Sequence, residues 1–378
     1  MGIEPRLTLV TAPPVDDAGE AALVELIRDE IGARGPVTFA RFMERALYEP
    51  GLGYYSTSTD RPTRAGDFLT APELHPIFGW TVARQLDEMW QRLDRPVEFV
   101  VREFGAGRGT LAESLSDGLG RIGSGLAQAV RHQGVDVQVG NPSVDTAQSF
   151  VGCVVGNEFL DALPVHRVVQ TKDGLREIYV DWQSDRFVEV AGEISDPRIA
   201  KRVGTGPALA VGQQAEVSLS IPAWLTEVAA SLERGFVLLF DYGLSTVDLR
   251  SKSRATGTIR AFRGQHVSSD VLGAVGHQDL TAHVDLDALD TDARAVGLTP
   301  LGKTSQAEFL MGAGLESAYA EARAQADTDW QSALDLRAAM RRLLDPQHMG
   351  AYSAVAFGKS VSNDPPLRGM SFRTPERS

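Results

Sequence analysis

The residues best able to do chemistry fall in a few short runs. The first is Glu103-Phe104-Gly105-Ala106-Gly107-Arg108-Gly109. Alternating glycines let a backbone turn sharply through positive φ and come close to a ligand. The spacing is not that of the dinucleotide fingerprint, because Thr110 stands where its third glycine belongs. Nor does a Gly-Lys-Ser/Thr come after it, as a phosphate-binding Walker loop requires. An acid followed by alternating glycines suits a ligand bearing a sulfonium and an ammonium charge. Glu103 can face that charge while the Gly105–Ala106–Gly107 backbone passes a ribose. A plain strand-to-helix turn would also use these residues.

The second run is Asn157-Glu158-Phe159-Leu160-Asp161-Ala162-Leu163-Pro164. Glu158 and Asp161 can hold a guanidinium or ammonium by charge-assisted bonds, and one of them can accept a proton. The first turn of a helix favours the same acids. Asp241-Tyr242-Gly243 reads as a turn. In Leu280-Thr281-Ala282-His283-Val284-Asp285, His283 and Asp285 share one face if the chain is extended, which suits a pair that orients substrate or shapes a pocket, although a surface His at a helix cap is the commoner arrangement. Gly53-Tyr54-Tyr55 and Gly66-Asp67-Phe68-Leu69-Thr70-Ala71-Pro72-Glu73 are dense in turn-formers, aromatics and acids, as a loop closing over a ligand or a well-packed connection would be. The seven histidines show no paired metal-ligand spacing, so no metal site is expected.

The elements that must position these runs are legible as periodicities. VEFVVREF (97–104), FVGCVVGNEF (150–159) and GFVLLFDYG (235–243) are continuous apolar runs ending in polar residues. Such runs mark strands buried on both faces of a parallel sheet, whose ends are where an open α/β sheet binds ligands. Residues 165–192 alternate instead, with Lys172-Asp173-Gly174 as a turn, and predict an antiparallel meander inserted into the sheet domain. Helical spacing marks Ala22 to Ile27, Phe39 to Leu47, Phe78 to Leu93, Trp224 to Arg234, and the neighbourhoods of 285–296 and 329–344, with a last strand near Ser353–Phe357. The expected organisation is a loose leader (1–19), a helical cap (20–95), an α/β core (96–164 and 205–360), the inserted meander (165–204) and a frayed tail (361–378).

Composition narrows the function. Hydrophobic residues are 43 % and charged residues 23 % of 378, ordinary for a globular protein. A net charge of −13 argues against a nucleic-acid binder and fits a cationic or neutral substrate. No apolar run approaches the ~20 residues that span a bilayer. The acidic N-terminus lacks the features of a signal or transit peptide, so a cytoplasmic location is expected. Cys153, the one cysteine, lies in an apolar stretch and reads as core. Oligomeric state is open, a homodimer included.

Taken together, these runs resemble the MidA family of class I S-adenosylmethionine-dependent methyltransferases. The matching segments are Thr38–Met43, Tyr48-Glu49-Pro50, Gly53-Tyr54-Tyr55, Gly66-Asp67-Phe68 with Thr70–Glu73, Glu103–Leu111, Asn157–Pro164, Gly257-Thr258 with Arg260-Ala261, and Leu280–Asp285. They fall in order over residues 20–360. The resemblance implies a Rossmann-like sheet, S-adenosyl-L-methionine as cofactor, and N-methylation of an arginine or another nitrogen nucleophile of a protein or peptide. It places Glu103, Gly105 and Gly107 on the cofactor, Asn157 and Glu158 between cofactor and substrate, and Gly66, Asp67 and Thr70 along the cleft. Glu158 and His283 would be paired across the site.

One departure stands out. The family carries a second strand ending in an acid, near a Val-Glu-x-Ser segment, and 112–156 holds no such segment. Asp136, in VDVQV, is the only substitute for the acid that grips the ribose hydroxyls. This interval supports an alternative reading, a non-catalytic assembly protein with a degenerate cofactor site. Methylation of a small molecule is the other.

Overall fold

The computed structural model describes residues 19–57, 69–136, 145–264, 266–326 and 330–374. Helices α1 (Ala21–Arg34) and α2 (Phe39–Tyr48) come first, then the long helix α3 (Ile77–Arg92). Strand β1 (Phe99–Phe104) leads through the glycine turn into α4 (Thr110–Arg121), followed by β2 (Val130–Val135) and β3 (Phe150–Asn157). The meander is β4 (Val165–Thr171), β5 (Gly174–Gln183) and β6 (Arg186–Gly192), with β7 (Gln214–Ser218) later. Helix α5 (Ser220–Ser231) returns to β8 (Leu232–Asp241). Three short strands come next, β9 (Arg260–Arg263), β10 (His266–Ser268) and β11 (Asp279–Thr281). The chain ends with α6 (Leu286–Ala295), β12 (Thr299–Ser305), α7 (Gln306–Ala313), α8 (Leu315–Ala326), α9 (Trp330–Leu344) and β13 (Ser353–Lys359).

The central sheet runs β12-β13-β8-β3-β1-β2. β2, β1, β3 and β8 are parallel, while β13 is antiparallel to both neighbours. Its strands alternate between two buried faces, which explains their unbroken apolar character. Val101, Cys153, Val155, Leu238 and Ala356 face α3 and α7–α9, whereas Val100, Val154, Val237 and Phe357 face α5 and α6. Cys153 is fully buried.

Two smaller antiparallel sheets and α1–α2 enclose a separate core. Leu23, Ile27, Phe39, Phe42 and Met43 pack there with Val165, Val180, Phe187, Ala261 and Leu280. Three expected boundaries therefore move. Helix α3 buries its apolar face on the central sheet, so 20–95 is not one unit. Strand β7 pairs with β4, carrying the inserted sheet past 204, and β9–β11 join the same subdomain. Within the tail, residues 367–370 are docked rather than frayed, because Leu367 and Met370 are buried against the core and Arg368 and Gly369 donate backbone bonds to Glu88 and Gln85. The leader lies outside the described residues, apart from Gly19, which bridges to Val275.

Candidate active site

The glycine turn leaves β1 with Gly105, Gly107 and Gly109 at φ 72°, 52° and 78°, a region open to glycine and strained for other residues. Gly105 N–H donates to the Val135 carbonyl (2.9 Å) and Gly107 N–H to Asp136 Oδ2 (2.7 Å). The buried Glu103 carboxylate is 2.7 Å from His132 Nε2 on the next strand. The second parallel strand is thus present, as β2, and Asp136 stands at its end beside the turn. Its sequence, VRHQGV, is polar because it forms the partly exposed sheet edge, so no apolar pattern marks it.

At the end of β3, Glu158 is held in left-handed backbone geometry, φ 51°, which is uncommon for a residue with a side chain. Its N–H donates to the Phe240 carbonyl (2.8 Å). Asp241 fixes the backbone just beyond it: Oδ2 accepts the Phe159 and Leu160 amides (3.1 and 2.7 Å), and Oδ1 accepts Tyr242 N–H (2.8 Å). Asp241 is therefore more than a turn residue, since its carboxylate ties together the ends of two parallel strands.

Glu158 Oε1 accepts from Asn157 Nδ2 (3.0 Å) and Ala71 N–H (3.3 Å), while Oε2 is buried with no partner among the described residues. Burial pushes the Glu158 carboxyl up to about 8 and that of Asp241 up to about 7. Asp161 is held well above the usual carboxylate range by burial and by Asp241, Asp279 and Glu158 around it. Like charges in a low-dielectric pocket cannot all ionise without a cation.

The facing wall comes from the second subdomain. Tyr55 donates to Asp279 Oδ1 (2.8 Å), Tyr48 donates to the Ala162 carbonyl (2.8 Å), and the two rings stack at 5.6 Å. His283 N–H donates to Thr258 Oγ1 (3.1 Å), and its ring stacks on Tyr242 at 6.0 Å. Burial, helped by Arg254 and Arg260, holds His283 down at about 4, so it is neutral near pH 7. Its Nδ1 is buried with no partner among the described residues. The expected Glu158–His283 pair does not form a hydrogen bond; the two line one cavity separately. Nor does His283 pair with Asp285, which caps α6 by accepting the Asp287 and Ala288 amides.

These walls enclose about 450 Å³, within the usual span for small-molecule sites. Glu103, Gly105, Ala106, Gly107, Asp136 and Thr70 line it, as do Asn157, Glu158, Asp161 and His283. Gly66 and Asp67 lie outside the described residues. Tyr54 and Tyr55, from a run expected to close over a ligand, line it too, as do Tyr48, Asp279 and Arg260, to which the sequence alone gave no role. Among the described residues no group of three or more His, Cys, Asp or Glu side chains is placed to hold a metal. No described helix is long and apolar enough to cross a membrane.

A positively charged nucleoside cofactor fits this cavity: glycine backbone, a carboxylate at the end of β2, and acids at the end of β3. The fold and site are those of a class I methyltransferase. The family model described as S-adenosyl-L-methionine-dependent methyltransferase matches residues 81–141 and 124–304, and the chain belongs to that family. A protein from Burkholderia thailandensis, solved with bound S-adenosyl-homocysteine, is similar at 29 % identity and TM-score 0.80, covering 97 % of this chain and 99 % of that one. The mitochondrial protein arginine methyltransferase NDUFAF7 of Xenopus tropicalis is 28 % identical over 355 residues, 80 % of this chain and 77 % of that protein. The Drosophila melanogaster NDUFAF7 homolog is 28 % identical over 396 residues, 92 % and 87 % respectively. S-adenosyl-L-methionine is the cofactor, and the chain is a methyltransferase. The expected cytoplasmic location is overturned by the two NDUFAF7 relatives, which are mitochondrial proteins.

Proposed function

We propose that this methyltransferase transfers a methyl group to a guanidinium nitrogen of an arginine in a protein. The observation that carries this reading is a set of buried carboxylates at one cavity. Glu158, Asp161 and Asp279 line it, Glu158 with a buried unpartnered oxygen, and burial raises the proton affinity of Glu158 and Asp161. A guanidinium supplies a positive charge and up to five donors for the acids around it. The relatives' names, protein arginine methyltransferases, support the same acceptor. Asp136, at the end of β2 and lining the cavity, counts against a degenerate cofactor site.

When bound, S-adenosyl-L-methionine supplies an electrophilic methyl on sulfonium. The chain's part is to orient and to manage protons. Glu158 Oε2, its unpartnered oxygen, accepts a guanidinium N–H and draws positive charge away from the attacking nitrogen. The proton released on transfer can pass to a carboxylate whose affinity for it is already raised. Tyr48 and Tyr55 wall the acceptor's path and exclude water beside these acids.

The test is transfer of labelled methyl from S-adenosyl-L-methionine to protein and arginine-peptide acceptors, followed by acid hydrolysis and amino-acid analysis. Label recovered as methylarginine supports the reading. Label confined to another side chain, or to small molecules, sinks it.

A further inference from the structure

Arg260 is a half-buried cation in an acidic cavity, with no acid to hold among the described residues. It points from β9 into the cavity on the same face as Phe262. Their cross-strand partners on β11, Thr281 and Asp279, line the cavity as well. The Arg260 guanidinium makes one hydrogen bond, from a terminal nitrogen to the Ile259 carbonyl at 2.6 Å, and has no salt-bridge partner among the described residues. Arg108, which also lines the cavity, is exposed, where water satisfies its donors. Arg260 is half-buried on the cavity wall, and its remaining donors are left for an anion bound in the cavity to complete.

We infer that Arg260 is the carboxylate anchor of the cavity, its fork of donors taking a carboxylate of the molecule bound there. Two sources carry that chemistry: the amino-acid tail of the cofactor, or an acidic group beside the acceptor arginine. The second source rests on the arginine reading above. Guanidinium and carboxylate match as a bidentate pair, which a lysine does not reproduce. The charge of Arg260 is felt in the cavity, since it helps keep His283 neutral. It also repels a second guanidinium. A substrate carrying both charges would then be polarised, its positive end at Glu158 and its negative end at Arg260.

Calorimetric titration separates the sources, using wild type, Arg260→Ala and Arg260→Lys. The first ligand pair is S-adenosyl-homocysteine and 5′-methylthioadenosine, which lacks the amino-acid tail. The second pair, added to protein saturated with S-adenosyl-homocysteine, is Ac-Asp-Arg-NH2 and Ac-Ala-Arg-NH2. If the anchor holds the cofactor tail, Arg260→Ala weakens S-adenosyl-homocysteine at least tenfold and leaves methylthioadenosine unchanged. If it holds the acceptor's acid, cofactor binding is unchanged and a preference of about tenfold for the aspartyl peptide disappears. Arg260→Lys, which keeps the charge and guards against misfolding, should recover part of either effect. The assignment is overturned if wild type makes neither discrimination, or if Arg260→Ala makes both as wild type does. Should neither peptide bind while the tail discrimination is lost in Arg260→Ala, the anchor stands on the cofactor tail, and the arginine reading stands or falls by the methyl-transfer test above.

Discussion

The Gly107 amide donates to the Asp136 carboxylate across 2.7 Å, joining the glycine turn to the end of the neighbouring parallel strand. One oxygen of Asp136 thereby braces the turn, and the residue also lines the cavity. A ribose bound there would offer its hydroxyls to the same carboxylate. Substituting Asp136 by Ala should weaken S-adenosyl-homocysteine binding by about 10- to 100-fold, or roughly 1.4–2.8 kcal/mol. Calorimetry measures this directly. Unchanged affinity would remove Asp136 from the cofactor site.

Glu158 makes the complementary prediction. Gln at this position keeps an oxygen to accept the Ala71 amide and the Asn157 side chain, so the loop should hold its shape. What is lost is the negative charge on the unpartnered oxygen. Glu158→Gln should lower turnover at least 100-fold while S-adenosyl-homocysteine affinity stays within about threefold. Retained turnover would dismiss the proposed contact with the acceptor.

The difference between these two residues shows what the sequence can display. Glu158 ends a strand buried on both faces, and the apolar run FVGCVV points straight to it. Asp136 ends an edge strand with no such run, so only its isolation as an acid drew attention. Asp241 read as a turn because its acceptor role is to amides some 80 residues earlier in the chain. Asp279, Tyr55 and Arg260 converge through the pairing of short strands with an N-terminal helix, and no local period encodes that meeting. The docked tail escaped for a similar reason. Its two buried anchors, Leu367 and Met370, are too few to make a pattern.

Arg102 is a structural residue whose role is equally invisible locally. It sits on β1, 1 % exposed, with its guanidinium over the Phe150 ring at 4.2 Å. It donates to Gln133 Oε1, the carbonyls of Thr146 and Gln148, and Ser231 Oγ, at 2.9–3.2 Å. It thus ties the segment leading into β3 to β2 and to the end of α5. Met fills similar volume but leaves these acceptors without donors. Arg102→Met should destabilise the fold by roughly 2–3 kcal/mol in urea unfolding. A loss under about 0.5 kcal/mol would mean that the acceptors find other donors.

The raised carboxyls also set a pH dependence of stability. In the folded protein Glu158 and Asp241 hold protons up to about pH 8 and 7, whereas the unfolded chain releases them near 4.5 and 3.8. Between those limits the folded state binds more protons, so stability falls as pH rises. His283 acts oppositely: between its unfolded value of 6.5 and its folded value of about 4, stability falls as pH drops. Two carboxyls outweigh one imidazole below 6.5, and above it the carboxyls act alone. The ligand-free protein should therefore lose thermal stability with rising pH up to about 8, most steeply from about 6.5 to 7, where both carboxyls act and the imidazole does not. Glu158→Gln removes one of the two protons and should flatten that slope. Melting temperatures of both proteins at pH 5.5, 6.5, 7.5 and 8.5 provide the comparison, because every other titrating group is common to them. Identical slopes would mean that Glu158 is ionised throughout the range, and that the cavity does not need a cation to hold its charge.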